Sequence, residues 1–339
     1  MNIYSYTLEK LETYFESIGE KKFHARQVFK WLYDKKIKSI DEITDIKKSV
    51  LDKMKKDMSF DMIKLIKVQR EDDVNKYLFK LSDNNLIEAV LMFHDYGRSV
   101  CVSSEVGCNM GCKFCESGRR KKVRSLEVYE MVEQILLIEE DIGNRISHVV
   151  VMGIGEPFDN YDNLIDFIKI INSDFGLAIG ARHITVSTCG IIPKILEFSD
   201  FPLQVNLAIS LHAPNDEIRN KIMPINKVYP IDELMEALRI YYKKTKRRLT
   251  FEYIMLKDVN DSVECAKELC NLVKGMNCYI NLIPYNETNN IEFRRTNSVQ
   301  IMKFYDILKK NDIGVTIRRE FGGKISAACG QLRSKKEEI

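Results

Sequence analysis

The chain has 339 residues, long for one ordinary domain and suited to a large α/β core with a smaller appendage. No apolar run approaches the ~18 to 20 residues of a membrane helix, and the opening MNIYSYTLEKLETYF lacks the succession of a signal peptide, so a soluble intracellular protein is expected. A net charge of +3 is too small to imply nucleic acid by itself, and nine cysteines, an odd number, argue against a secreted disulfide framework and for redox or metal chemistry.

Residues 1–60 read as a small helical module. Thr7 is placed to cap the run Leu8, Leu11, Phe15, which Gly19 ends, and Val28, Phe29, Trp31 and Leu32 recur at helical spacing. Residues 61–98 read as a β-rich linker of strand-like stretches, with Ser82-Asp83-Asn84-Asn85 as a turn. From 99 to the end, apolar β-branched runs (SVCVSS, SHVVVMG, HITVST, QVNLAIS, LTFEYIML, CYINLIPY, GVTIRRE) alternate with amphipathic helices such as VYEMVEQILLIEE and YPIDELMEALRIYY. That alternation implies parallel strands with right-handed crossovers in about six units. The expected fold class is α/β, a partial or complete barrel with its active site at the C-terminal strand ends. Two basic segments, GRRKKVR (Gly118 to Arg124) and KKTKRR (Lys243 to Arg248), read equally as phosphate-binding or as ordinary solvated faces.

The strongest chemical signal is Cys108-x3-Cys112-x2-Cys115, directly after SVCVSS. Three thiolates in a short loop can hold three irons of a [4Fe-4S] cluster and leave the fourth open, whereas structural zinc normally takes four protein ligands and no fourth Cys or His stands nearby. This spacing, with an aromatic residue before the last Cys, resembles the signature of the radical S-adenosylmethionine (SAM) enzymes, in which SAM chelates the open iron. Gly153-Ile-Gly155-Glu156-Pro157 after HVVVM is weaker alone, but its glycines permit close backbone approach and Glu156 could accept from the SAM ammonium.

Over nearly its whole length the chain resembles the RlmN/Cfr family of radical SAM adenosine methyltransferases, through LIEAVLM, CVSSEVGCNMGCKFC, VVMGIGEPFDN, ARHITVSTCGIIP, NLAISLHAPND, MPIN, YIMLKDVNDS, NLIPYN and AACGQL. The resemblance implies a (βα)6 partial barrel carrying a C-terminal loop with Cys329, and a SAM-binding set of Gly155, Glu156, Ser187, Ser210, Leu211, His212 and Asn286. It implies Cys329 as methyl carrier, Cys101 as the thiol that pairs with it in a disulfide to release the product, and Glu88 as general base, with burial raising its pKa. Without the resemblance, His212 and Cys101 read as core residues and Glu88 as an outward strand residue. Cys189, Cys265, Cys270 and Cys278 match no catalytic position and read as structural.

The function implied is methylation of adenine C2 in 23S rRNA, with tRNA adenosine as a second substrate and two SAM molecules per turnover. A flavodoxin or ferredoxin is the expected electron donor, and a cytoplasmic monomer the expected form. MGIGEPFDN and IGARHITVST favour this C2 reading, while GCNMGCKFC resembles the C8-methylating branch that confers ribosomal antibiotic resistance. A zinc-binding, non-catalytic RNA module is the competing reading from another class. Departures from the family pattern are Glu105 in place of Gln, Ser117 near a usual Thr-Gly pair, and Lys324 and Ser326 bordering Cys329.

Overall fold

The computed structural model describes residues 1–287, 292–318, 325, 327 and 330–332. Three helices open the chain: α1 (Leu8–Ser17), α2 (Phe23–Tyr33) and α3 (Lys48–Asp57). Thr7 caps α1, its Oγ1 accepting from Lys10 N at 3.2 Å, and Gly19 follows at φ +79°. Leu11, Phe15, Val28, Phe29 and Leu32 are buried, so the apolar stripes read from the sequence do face inward.

Strands β1 (Lys64–Glu71), β2 (Val74–Lys80), β3 (Leu86–His94) and β4 (Gly97–Val102) pair antiparallel in sequence order. The expected turn joins β2 to β3, with Asn84 at φ +66° and Asp83 Oδ1 accepting from Asn85 N at 3.0 Å. A small ribbon, β5 (Glu105–Val106) against β6 (Arg124–Ser125), brackets the cysteine loop.

The alternating part then runs α4 (Val128–Ile142), β7 (His148–Val151), α5 (Tyr161–Asn172), β8 (Ile184–Thr188), α6 (Ile192–Phe198), β9 (Asn206–Ser210), α7 (Asp216–Ile222), α8 (Ile231–Thr245), β10 (Leu249–Met255), α9 (Val263–Leu272), β11 (Cys278–Pro284), α10 (Ser298–Lys310) and β12 (Gly314–Ile317). Strands β4 and β7 to β12 are parallel neighbours, so six helical crossovers link seven strands and the expected (βα)6 unit is present. The sheet order β1-β2-β3-β4-β7-β8-β9-β10-β11-β12 leaves β1 and β12 as edges, which makes the barrel partial.

Residues 64–94 belong to this same ten-stranded sheet rather than to a separate linker, because β3 continues the ladder through β4. The helical module is tied to the barrel as well: Tyr129 N donates to Ser5 Oγ at 3.2 Å, and Lys36 Nζ lies 2.9 Å from Glu139 Oε2. Strand alternation sorts the barrel into two faces. Val149, Val151, Ile184, Val186, Leu207, Ile209, Phe251 and Tyr253 join the helices in the main core. Cys101, Val150, Ser187, Ser210, Glu252 and Asn281 lie on the opposite, inner face. Among the described residues no helix is long and apolar enough to cross a membrane.

Candidate functional site

At the C-terminal strand ends a cleft opens with about 900 Å³ of free space, counted to its mouth. Its walls carry Cys108, Cys112 and Cys115 together with Gly155, Glu156, Ser187, Ser210 and His212. Segments more than a hundred residues apart are thus brought to one place. Leu211 and Asn286 are not on this wall. The Leu211 backbone is engaged elsewhere, its N–H donating to Glu252 O at 3.1 Å and its carbonyl accepting from Arg219 Nε at 3.1 Å, while Asn286 follows β11.

The cysteine loop is held by main-chain bonds independent of any metal: Cys108 N to Arg120 O at 2.9 Å, Cys115 N to Cys112 O at 3.2 Å and Lys113 N to Ile222 O at 3.0 Å. Burial pushes the Cys108 thiol up to about 12 and the Cys112 thiol well above its ordinary value. Both are therefore neutral until a metal displaces their protons. Among the described residues, no three His, Cys, Asp or Glu side chains converge tightly enough to hold one ion. Three thiolates on one cleft wall suit a polynuclear cluster, in which each binds its own iron.

Glu156 is buried, and burial raises its pKa. Its Oε1 accepts from Phe158 N at 3.0 Å and its Oε2 from Cys189 N at 2.7 Å, which leaves lone pairs for a ligand ammonium. Gly155 sits at φ +114°, and a Cβ there would fall 2.6 Å from Glu105 Cγ and 2.8 Å from Ser104 Oγ. Gly155→Ala is accordingly expected to lower stability by about 1–3 kcal/mol and to weaken SAM binding. Gly275→Ala, at φ +77° with nothing within 4 Å, is the control in the same equilibrium unfolding series. Equal losses in the two variants would show that crowding against Glu105 is not the cause.

His212 is at once a cleft residue and a buried one. It sits at φ +57°, its Nδ1 accepting from Ile254 N at 3.0 Å, and Phe114 of the cysteine loop meets its ring edge-on at 4.8 Å. Burial, then the charge of Arg219, lowers its pKa to about 3. It is a neutral imidazole whose remaining ring N–H is on Nε2. Ser187 Oγ and Ser210 Oγ lie 3.5 Å apart.

Glu88 and Cys101 are off the cleft wall but share the inner face of the first strands. Glu88 is fully buried, and its surroundings are not apolar alone: Lys76 Nζ, itself buried, stands 2.6 Å from its Oε1. The counter-charge comes from β2, an element its own strand sequence does not reveal. Cys101 packs with Val90, Met92, Ile154, Ala327 and Leu332. Cys329, Lys324 and Ser326 lie outside the described residues. The flanking Gly330 carbonyl accepts from Glu116 N at 2.8 Å, directly beside the cysteine loop.

The unusual Glu105 is explained by the basic segment. Its Oε2 accepts from Glu156 N at 3.0 Å and its Oε1 is 2.6 Å from Lys122 Nζ, which also reaches Asp159 Oδ2 at 2.8 Å. Burial raises the Glu105 pKa to about 7, with Lys122 opposing. Arg124 pairs with Glu130 at 2.7 Å and Asp83 at 2.6 Å. Two cations of GRRKKVR are thus structural, and Arg119, Arg120 and Lys121 are the exposed ones.

Sequence reasoning missed several cleft residues. Glu252 is buried in the wall, Oε1 accepting from Asn281 Nδ2 at 2.8 Å and Oε2 lying 3.6 Å from Arg318 Nη1. An acidic residue inside the apolar run LTFEYIML was the available signal. Cys189, read as structural, also faces the cleft and donates its N–H to Glu156.

Residues 1–59 match the family described as ribosomal RNA large subunit methyltransferase N-terminal domain, and residues 102–270 match the radical SAM superfamily. A protein of Caldanaerobacter subterraneus subsp. tengcongensis, named probable dual-specificity RNA methyltransferase RlmN, is 51% identical over 336 residues, 98% of each chain. A protein of the same name from Enterococcus faecalis is 52% identical over 343 residues, 98% of this chain and 96% of that one. The crystal structure of a radical SAM methyltransferase from Sphaerobacter thermophilus has a TM-score of 0.92 at 39% identity, covering 99% of this chain and 100% of the other. With the cysteine loop and the glycine turn on one cleft of the same barrel, the chain belongs to the RlmN family of radical SAM RNA methyltransferases.

Proposed function

We propose that the chain methylates carbon 2 of an adenosine in 23S rRNA and, in keeping with the dual specificity for RNA in its relatives' name, an adenosine in a second RNA, which we take to be tRNA. One observation carries this reading. The cleft gathers the three cysteines and the glycine turn, and the segment following Cys329 is bonded to the cysteine loop through Gly330 O and through Leu332 O, which accepts from Ser117 Oγ at 2.7 Å. When bound, the [4Fe-4S] cluster and SAM supply the one-electron chemistry that an electron-poor ring carbon requires.

Cys108, Cys112 and Cys115 hold the cluster in this proposal. Gly155, Glu156, Ser187, Ser210 and His212 form the SAM cradle, and Leu211 and Asn286 complete the set. Cys329 carries the methyl group, Glu88 takes the ring proton with its carboxylate oriented by Lys76, and Cys101 attacks the Cys329 sulfur to release the product. The reducing electron comes from a donor of the flavodoxin or ferredoxin class, and the enzyme acts as a cytoplasmic monomer.

The test is mass mapping of adenosines after anaerobic incubation of the full chain with SAM, a reductant and 23S rRNA or tRNA. A methyl group on C2 is expected. A methyl group on C8 would overturn the regiochemistry, and unmodified adenosine in both RNAs would overturn the whole reading.

The RNA surface is proposed to include Arg119, Arg120 and Lys121 together with the N-terminal module. Reversing these three charges is expected to weaken RNA binding and to flatten its salt dependence, because each lost phosphate contact removes about 0.7 to 0.9 from the slope of log K against log salt. Unchanged affinity across several salt concentrations would make the segment an ordinary solvated face.

A further inference from the structure

Arg219 on α7 is fully buried, a position where a guanidinium needs every donor satisfied and its charge balanced. Each of its three nitrogens has a hydrogen-bond acceptor, through four bonds in all. Nε donates to Leu211 O at 3.1 Å, Nη2 to Cys189 O at 2.6 Å and Ser210 O at 3.3 Å, and Nη1 to Asn226 Oδ1 at 2.8 Å. Every one of these acceptors is neutral. Among the described residues Arg219 makes no salt bridge; Asp216 stands one group away, its Oδ1 accepting from Asn226 Nδ2 at 2.7 Å and from Ile231 N at 2.9 Å.

The layer packed against α7 is the cysteine loop. Lys113 N bonds to Ile222 O at the end of the helix, and a Cβ on Gly111 would lie 3.6 Å from Pro224 Cγ. Cys112, Cys115 and Ile218 pack on the apolar cluster that contains Cys189.

We infer that Arg219 is a positioning residue whose cation is the buried counter-charge of the cluster held by the cysteine loop, easing its one-electron reduction while its N–H groups fix the ends of β8 and β9. The inference rests on the cluster assignment proposed above. Reduction adds one electron from the donor and makes or breaks no bond, so the cluster becomes more negative by one charge. A fixed cation nearby favours that state, and net charge around a cluster is one of the levers that set its potential.

The experiment is a redox titration of the anaerobically reconstituted full chain, following the paramagnetic signal of the reduced cluster with dithionite as reductant and neither SAM nor RNA present. Arg219→Met removes the charge and Arg219→Lys keeps it. The expected result is at least a tenfold less favourable reduction in Arg219→Met, about 59 mV for a one-electron couple, with Arg219→Lys close to the parent chain. Because Arg219→Met strands buried carbonyls and risks misfolding, the exchange Asp216→Asn with Asn226→Asp is measured beside it. This pair conserves net charge but sets a carboxylate against the guanidinium, and its midpoint is expected to fall in the same direction. A parent midpoint in the exchange variant, or in a folded Arg219→Met, overturns the inference, as does an Arg219→Lys midpoint as low as that of Arg219→Met. If the parent chain takes up no iron and sulfide, the cluster assignment itself fails, which is a separate result.

Discussion

Alanine at Cys108, Cys112 or Cys115 is expected to abolish reductive cleavage of SAM while leaving the fold in place. Each thiolate is assigned to one iron, so a single substitution removes a third of the protein's hold on the cluster. Even groups that only support a metal ligand are worth about 10- to 100-fold, so loss of a ligand should exceed about 100-fold. The fold should survive because the loop is held by main-chain bonds to Arg120, Cys112 and Ile222, and by Gly118, where an added Cβ would come 2.8 Å from Cys112 O. The measurement is 5'-deoxyadenosine formed per chain, alongside iron and sulfide content and the unfolding midpoint. Parent-level 5'-deoxyadenosine from any one of the three variants would refute the ligand assignment.

The second large effect concerns Cys329 and Cys101, whose loss should fail in different ways. Cys329→Ala removes the methyl carrier and is expected to stop the reaction before RNA is altered. Cys101→Ala should permit addition to the base but leave the protein joined to RNA through Cys329, since no neighbouring thiol remains to attack that sulfur. Glu88→Ala should stall at the same stage through loss of the base. Cys101 is buried on the inner face of β4, in register with Val90 and Val150, and packs with Ala327 and Leu332 of the segment that carries Cys329. The readout is a ribonuclease-sensitive adduct that survives denaturation, present in Cys101→Ala and absent in Cys329→Ala. Normal methylation by both cysteine variants would end this mechanism, whatever the cluster loop holds.

Local chemistry made much of this protein legible before any coordinates. Thr7 and Gly19 bound a helix because a hydroxyl cap and a left-handed glycine work within a few residues. The β-α alternation determines parallel strands because a chain returning to the same sheet edge must cross over. The cysteine spacing and the glycine turn are likewise short-range features, and both are found on one cleft. Partnerships between distant charges were decided only by the tertiary structure. Lys76 meets Glu88 through the pairing of β2 with β3, Lys122 meets Glu105 across the ribbon of β5 and β6, and Arg219 reaches the ends of β8 and β9 from a later helix. Glu252 joins the cleft because the β9–β10–β11 register sets it beside Ser210 and Asn281. Periodicity tells which face of a strand a residue occupies, but which charge stands opposite depends on strand order and register, and these arise only when the whole sheet closes around its core.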